Sequence, residues 1–286
     1  MSLPESLNSI EHSSDRRQYR VGIVVPTMGT RPEFLVQALN SIRLAGSALV
    51  HVVAPPSANL ASVLDPLLYD ALIDDPAAGL AAAIDAGLRS FPSTVRYINW
   101  LGDDDLLTEG SLDVAVQLLE QDPSVVLTYG ACEYIDSTGK VLWLNKSGSY
   151  ARYLMRFGPQ LIPQPGSLFK RNAYERIGGL DYRYKWAFDL DLLIRLSRVG
   201  RLHFEPRAMA KFRWHMGSLS VGGRADSVNE ASAIRVASLP RLLRLIAPIW
   251  EYLIRILIMR AGERLTLRIK GSQQNPILRS PIDGSS

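Results

Sequence analysis

The first part of the chain alternates short apolar segments with amphipathic ones, and this alternation restricts the fold more than any other feature. Residues 19–26, YRVGIVVP, form a β-branched run ended by proline, which predicts a buried strand. Residues 31–46 predict a helix with proline in its first turn and glycine as its stop. A strand at 48–56, a helix at 76–91 and a strand at 95–101 follow. Strands that alternate with helices predict an α/β fold, with a mostly parallel central sheet flanked by helices.

The rest of the chain continues this pattern less regularly. A helix is predicted at 109–123 and a strand at 124–130. Beyond residue 140 we predict a short strand at 141–144, a helix at 190–200 and a late strand at 208–215. With 286 residues, 47% of them hydrophobic and 21% charged, the chain can bury one large α/β domain or one domain with an appendage.

Composition suggests where the chain divides and where the protein resides. We expect a disordered segment at 1–18, a globular domain at 19–225, a basic amphipathic helical extension at 226–270 and a disordered tail at 271–286. The single cysteine, Cys132, excludes an internal disulfide framework and favours a reducing compartment. Neither a signal-peptide core nor a spanning segment of ~18–20 apolar residues is present. We therefore expect the cytoplasm, with the inner face of the cell membrane as a peripheral alternative.

Three consecutive aspartates follow the strand at 95–101. The segment NWLGDDDLLTEG places Asp103, Asp104 and Asp105 at its carboxyl end, the edge of a parallel sheet where ligands bind. Adjacent carboxylates repel one another, so the cluster is either a solvated turn or a site that holds a cation. Carboxylate oxygens suit Mg²⁺ or Mn²⁺. From these residues alone, both interpretations stay open.

Longer segments resemble one enzyme family. VGIVVPTMGTRPEFLVQALNSI (21–42) and INWLGDDDLLTEGSL (98–112) resemble the nucleotide-binding half of family 2 glycosyltransferases. The segment QPGSLFKRNAYERIGGLDYRYKWAFDLDLLIRLSRVG (164–200), followed by FRWHMGSLS, resembles that family's acceptor-side block. The resemblance implies a GT-A (Rossmann-like) fold, with a nucleotide-sugar half at about 19–130 and an acceptor half at about 131–225. It also implies metal-dependent, inverting hexosyl transfer from a nucleotide-sugar.

The resemblance assigns roles on the donor side of the site. Asp105 matches the carboxylate that binds Mn²⁺ or Mg²⁺, and Asp104 matches the neighbour that contacts the ribose. Asp103 stands at a variable position of this motif and could assist these two carboxylates. Pro26 and Thr27 match the loop where the base and ribose lie.

One further donor-side candidate comes from its position at a helix start. Arg31 could contact phosphate from a helix N-terminus, although such a residue is more often merely solvated. Gly102 stands where many relatives carry the first Asp of D-x-D, and VVAPPSAN lacks their acidic residue after the second strand. These two departures leave the strictness of metal dependence and the nucleotide base open.

On the acceptor side, Asp189 matches the general base that deprotonates an acceptor hydroxyl. Its alternative is a helix cap, a position that Asp favours. A site at a helix N-terminus would keep Asp189 ionised at neutral pH. Asp191 is either structural or in contact with the acceptor. His215 matches a histidine that faces the metal–diphosphate in some relatives, and its alternative is a half-buried packing residue.

Positive charge is concentrated near the C-terminal end of the sequence. Between residues 235 and 270 eight Arg or Lys residues stand against two Glu. This distribution argues against a nucleic-acid-binding surface spread over the fold. Residues 239–262 predict a helix with a wide apolar face and a narrow basic arc. It could lie on an anionic membrane, pack on the catalytic domain or join a homodimer.

The expected function is transfer of a sugar from a nucleotide-sugar to the hydroxyl of a glycan or lipid-linked acceptor, in cell-surface polysaccharide or glycolipid assembly. A single displacement needs no enzyme nucleophile, so the lack of a Ser–His or Cys–His arrangement agrees with it. The alternative is a non-catalytic nucleotide- or glycan-binding protein on the same fold.

Overall fold

The computed structural model describes residues 19–146, 148–214 and 224–274, with the backbone alone for Arg224 and for residues 261–274. The strands are β1 (Val21–Pro26), β2 (Leu49–Ala54), β3 (Ala71–Asp74), β4 (Tyr97–Trp100), β5 (Leu106–Leu107), β6 (Val125–Ile135), β7 (Val141–Asn145), β8 (Ser167–Lys170) and β9 (Arg201–Arg213). The helices are α1 (Pro32–Ala45), α2 (Leu80–Arg89), α3 (Ser111–Gln121), α4 (Ala151–Leu154), α5 (Arg171–Arg176), α6 (Phe188–Val199), α7 (Arg224–Ser238) and α8 (Arg241–Gln274).

The strands form one mixed sheet in the order β3-β2-β1-β4-β8-β6-β9-β5, and β7 pairs with β6. The first four strands of this order are parallel to one another, with Val24 of β1 opposite His51 of β2 and Trp100 of β4. Strand β8 is antiparallel to both β4 and β6, whereas β6 and β9 are parallel. The carboxyl ends of β1 and β4 therefore lie side by side at one edge of the sheet.

Helices cover both faces of this sheet. One buried cluster joins the sheet to α1 and α3, and the other joins it to α2, α5 and α6. Gly87 allows the close approach of α2, since a Cβ there would lie 2.7 Å from a methyl carbon of Val24 and 2.8 Å from one of Val53. These two layers of helices confirm the predicted α/β architecture.

Several elements differ from their predicted bounds. Strand β3 was not predicted, because its four residues alternate between half-buried and exposed and carry a weak apolar signal. Strands β6 and β9 are longer than predicted, since they pair with each other along most of their length. Helix α8 runs to Gln274, past the predicted start of the tail at 271. Residues 1–18 and 275–286 lie outside the described residues.

The C-terminal extension begins with α7, which packs on the catalytic domain. Ile234 of α7 belongs to the same buried cluster as α6. Arg235 of α7 forms a buried ion pair with Glu251 of α8, with N–O distances of 2.7 and 2.6 Å. None of the described helices combines the length and the apolar character needed to cross a bilayer.

Candidate active site

A cleft of about 360 Å³ opens at the carboxyl ends of β1 and β4. It is bounded by the turn after β4, the end of β9 and the start of α6, which come from both predicted halves of the domain. The residues that line it include Pro26, Arg31, Trp100, Asp103, Asp104, Asp105, Gln160, Lys185, Trp186, Asp189, Arg213, Trp214 and Ser227.

The loop after β1 contacts the turn after β4 through hydrogen bonds and ion pairs. The Thr27 hydroxyl donates to Asp103 Oδ2 at 2.6 Å. The Arg31 guanidinium bridges Asp103 Oδ1 at 2.5 Å and Asp104 Oδ2 at 2.7 Å. Arg31 is the N-cap residue of α1 and its side chain is 32% exposed, so it is not a merely solvated residue. These contacts bring Thr27, Arg31, Asp103 and Asp104 together, and Pro26 lines the same cleft.

Asp105 is more deeply enclosed than its two neighbours. Its Oδ1 accepts the Arg213 backbone N–H at 2.9 Å. The Arg213 side chain is 2% exposed and donates from Nε to the Asp104 carbonyl at 2.8 Å, which fixes the backbone of the turn. Burial, followed by repulsion from Asp104, raises the pKa of the Asp105 carboxyl well above its usual value. Burial also raises the pKa of Asp103, against the opposing effects of Thr27 and Arg31.

The local geometry explains the glycine at position 102. A Cβ on Gly102 would lie 2.9 Å from Asp105 Oδ2 and 3.1 Å from Asp104 Oδ1. A side chain there would crowd both carboxylates, so glycine leaves these two oxygens facing the space beside the turn. Glycine at this position therefore keeps space open next to Asp104 and Asp105.

The donor atoms at this turn fit a divalent metal that substrate oxygens complete. Mg²⁺ and Mn²⁺ are commonly held by one or two carboxylates together with phosphate oxygens and water. Asp104 and Asp105 supply such carboxylates, and their side chains line the cleft. Among the described residues, no group of three or more His, Cys, Asp or Glu is arranged to hold an ion. The described residues therefore provide a partial ligand set at this turn.

Asp189 lies in another wall of the same cleft. Its Oδ2 accepts from Gln160 Nε2 at 2.8 Å, and its Oδ1 accepts the Leu190 N–H at 2.8 Å. The capping alternative is wrong, because the N-cap residue of α6 is Ala187 and Asp189 lies within the first turn. The expectation that the helix terminus sets its ionisation also needs correction. Burial raises the pKa of the Asp189 carboxyl, and the hydrogen bond from Gln160 opposes this effect.

Glu230 of α7 holds the backbone that precedes Asp189. One carboxylate oxygen accepts the Lys185 N–H at 2.8 Å, and the other accepts the N–H groups of Trp186 and Ala187, both at 2.6 Å. Helix α6 has no side-chain cap of its own. Glu230 therefore satisfies donors at the start of α6 from a separate helix, and its charge also raises the pKa of Asp189.

One predicted site residue, Asp191, is not brought into this arrangement. Asp191 forms an i,i+4 ion pair with Arg195, and Arg195 also donates to the carbonyls of Ile177 and Gly179. Contact of Asp191 with an acceptor would require that ion pair to open, and it stays a prediction. His215 lies outside the described residues.

Sequence reasoning missed four contributors to the cleft. Gln160, Arg213 and Glu230 act through contacts with residues that are distant in the chain, and the sequence carries no periodic signal for such contacts. The fourth is an aromatic lining, which includes Trp100, Trp186 and Trp214. The closely spaced FRW and KWAF segments were the available signal for it.

Comparison with known proteins identifies distant relatives. No family model matches the chain. An uncharacterized glycosyltransferase of Rickettsia felis is 25% identical over 163 residues, which make up 53% of this chain and 26% of that protein. An uncharacterized glycosyltransferase of Rickettsia prowazekii is 24% identical over 144 residues, 48% of this chain and 45% of that protein. The aligned region thus covers between a quarter and a half of these relatives.

Solved structures extend the similarity to most of the chain. The mannosyltransferase PcManGT from Pyrobaculum calidifontis, in complex with GDP-Man and Mn²⁺, matches with a TM-score of 0.58 and 17% identity, over 90% of this chain and 76% of that chain. Residues 1–349 of S. aureus TarS, in complex with UDP-GlcNAc, match with a TM-score of 0.59 and 11% identity, over 79% of this chain and 69% of that chain. Identities this low show the fold alone. The relatives and the structures together support a glycosyltransferase with a GT-A-like fold.

Proposed function

We propose that this chain is an inverting glycosyltransferase of the family 2 type, which transfers a sugar from a nucleotide-sugar to an acceptor hydroxyl. The observation that carries the proposal is the pairing of two acidic groups in one cleft. The Asp103–Asp105 turn offers oxygens for a metal–diphosphate, and Asp189 offers a separate enclosed carboxylate. A general base and a leaving-group site are the two devices that a single displacement requires.

In the proposed reaction, Asp189 accepts the proton of the acceptor hydroxyl. The hydroxyl oxygen forms a bond to the anomeric carbon as the bond from that carbon to the diphosphate oxygen breaks. The bonding electrons leave with the nucleoside diphosphate. Backside attack inverts the configuration at the anomeric carbon, and no covalent enzyme intermediate forms.

The residues of the cleft have distinct parts in this reaction. Gln160 orients the Asp189 carboxylate, and Pro26 and Thr27 border the space for the nucleoside. Arg31 is placed to exchange its carboxylate partners for phosphate oxygens when the donor binds. Asp104 and Asp105 would hold Mn²⁺ or Mg²⁺, which supplies positive charge to the departing diphosphate. The raised pKa of Asp189 brings the base closer to neutral pH, where proton transfer is more effective.

For the substrates, the proposal follows the chemistry of the site and of its relatives. PcManGT in complex with GDP-Man and Mn²⁺, and TarS in complex with UDP-GlcNAc, support a nucleotide-sugar donor and a divalent metal. We propose a glycan or lipid-linked acceptor, in the assembly of cell-surface polysaccharide or glycolipid. A peripheral position at the inner face of the membrane would suit such an acceptor.

A donor screen tests the proposal. UDP-, GDP- and dTDP-sugars are added to the purified protein with and without Mn²⁺, and thermal shift reports binding. Slow hydrolysis of the stabilising donor is then followed by NMR. We expect metal-dependent stabilisation by one nucleotide class, and a first-formed sugar anomer opposite to that of the donor. Binding without any hydrolysis or transfer would favour the non-catalytic alternative, and retention of configuration would exclude the inverting mechanism.

A further inference from the structure

One side of α8 packs against α7, and the opposite side presents large apolar residues to solvent. Ala247 and Glu251 are buried on the packed side. Of the eight large apolar residues that are exposed on α8, Leu243 (36% exposed) lies nearer the packed side. At 100° per residue, the other seven fall within an arc of about 140° on the other side. We call them the outer face of α8: Leu242, Leu245, Ile246, Ile249, Tyr252, Leu253 and Leu257.

The outer face of α8 is continuous and unusually exposed. Leu242 is 81% exposed, Leu245 79% and Ile249 71%. From residue 242 to 257 the helix rises by about 23 Å, so the apolar strip is far longer than the isolated exposed residues of an ordinary surface. Among the described residues, none of the catalytic domain packs on the outer face, because this face points away from α7. The strip is therefore available to a partner.

The charges around the outer face are positive. Arg241 and Arg255 are exposed along one border of the strip, and Arg260 is exposed at its end. Within residues 241–260, the single acidic residue is Glu251. Its side chain is 4% exposed and is paired with Arg235 of α7. An apolar strip bordered by arginines, with no exposed carboxylate on that stretch, matches a surface with an apolar interior and anionic head groups.

We propose that the outer face of α8 docks on an anionic lipid bilayer, with α8 lying along the membrane surface. A second copy of the chain is a poorer partner. A two-fold contact would bring like charges together. With the two strips antiparallel, Arg241 of one copy would lie near Arg255 and Arg260 of the other, and with the strips parallel each arginine would lie near its own counterpart. Residues 241–260 offer no exposed acid to offset this repulsion. An anionic bilayer offers both apolar depth and negative charge.

Docking would also place the cleft at the membrane. The buried Arg235–Glu251 pair joins α8 to α7. Helix α7 in turn carries Glu230, which holds the backbone before Asp189, and Ser227, which lines the cleft. A bilayer-bound α8 would thus hold the wall of the cleft that carries Asp189 near substrates confined to the membrane. The docking surface itself does not depend on the proposed transfer reaction.

Vesicle flotation of the full chain tests the proposal. The probes are phosphatidylcholine vesicles with and without phosphatidylglycerol, at low and high salt. The variant Leu245→Glu/Ile249→Glu places two charges on the outer face. Its matched control, Leu67→Glu/Leu144→Glu, changes two exposed leucines elsewhere, 81% and 42% exposed. All four side chains lie in solvent, so the variants are expected to fold, and circular dichroism checks this.

We expect the wild-type chain to float with the anionic vesicles, more strongly at low salt than at high salt. The outer-face variant should lose at least about tenfold in partitioning, and the control should not. Arg241→Gln and Arg255→Gln should each weaken partitioning to anionic vesicles by about fivefold.

Absence of flotation with anionic vesicles at low salt would overturn the proposal. A stable dimer that Leu245→Glu/Ile249→Glu dissolves, without vesicle binding, would identify a subunit contact instead. Because flotation measures no turnover, its failure would leave the proposed transfer reaction untouched.

Discussion

Asp103, Asp104 and Asp105 are adjacent in the chain, yet their carboxylates have different partners. Asp103 accepts from Thr27 and Arg31, whereas Asp105 accepts the backbone N–H of Arg213. Burial raises the pKa of both Asp103 and Asp105. Three carboxylates held this closely are costly when ionised, and a bound cation would offset that cost. Of the two interpretations of the three aspartates, this arrangement supports the proposed cation-binding site better than a solvated turn.

The substitution Asp105→Asn removes the charge of the most deeply enclosed of the three carboxylates. The Asn carbonyl oxygen can still accept the Arg213 N–H, so we expect the fold to persist. Calorimetry should show that Mn²⁺-dependent binding of the nucleoside diphosphate is lost. Because the folded-state pKa of Asp105 is raised, its ionised form is disfavoured in the folded protein. The metal-free variant should therefore be more stable than the wild type at pH 8, and this difference should shrink as the pH falls through the raised pKa.

Asp113→Asn is the matched control for this substitution. Asp113 is an exposed acidic residue in the first turn of α3, away from the cleft lining. We expect it to leave both Mn²⁺ and nucleotide binding unchanged. Unchanged Mn²⁺-dependent binding in the Asp105→Asn protein would show that Asp105 does not hold the metal.

At the scale of elements, the start of α6 depends on α7. Ala187 provides no side-chain cap, and the backbone N–H groups of Lys185, Trp186 and Ala187 donate to Glu230. An acidic group at a helix N-terminus also interacts favourably with the helix dipole. Glu230 is therefore a positioning residue, which acts on Asp189 through the backbone before it and through its charge.

A pair of Glu230 variants separates these two effects. Glu230→Ala removes the acceptor oxygens and should lower stability by about 1–2 kcal/mol, with a fall in turnover. Glu230→Gln keeps one acceptor oxygen but removes the negative charge that raises the pKa of Asp189. The lower pKa should move the acidic limb of the pH–rate profile to lower pH. A limb that stays in place in a well-folded Glu230→Gln protein would contradict this coupling, and Glu175→Gln, on the exposed side of α5, is the control.

The sequence patterns predict the parallel part of the sheet well and the acceptor half less well. Strands such as VGIVV, covered on both faces, carry a strong apolar signal, and so the edge that bears the three aspartates could be predicted. The antiparallel strand β8, inserted between β4 and β6, depends on pairing between distant segments and carries no comparable local signal. The position of the three aspartates at the carboxyl end of a strand needed only the order of strands and helices, whereas the contacts of Arg31 with Asp103 and Asp104 were not predicted. The contact of Glu230 with the start of α6 needed the packing of α7, which no periodicity indicates.

For the molecule as a whole, the fold brings two chemical tasks into one cleft. The loop after β1 and the turn after β4 present a basic and acidic surface suited to a metal–diphosphate. Helix α6, held by α7, presents an enclosed carboxylate from another wall. The C-terminal helices are thereby part of the same arrangement, because Glu230 of α7 holds the backbone before Asp189 and α8 is joined to α7 by a buried ion pair.

The general-base role of Asp189 is the central claim, and Asp189→Asn tests it most directly. The substitution is nearly isosteric, and the Asn side chain can still accept the Leu190 N–H. Donor affinity and turnover are measured on the same preparation, with Asp113→Asn as the control. The account predicts unchanged donor affinity and a loss of turnover on the order of 10²–10⁴. Near-normal turnover in the Asp189→Asn protein would contradict it.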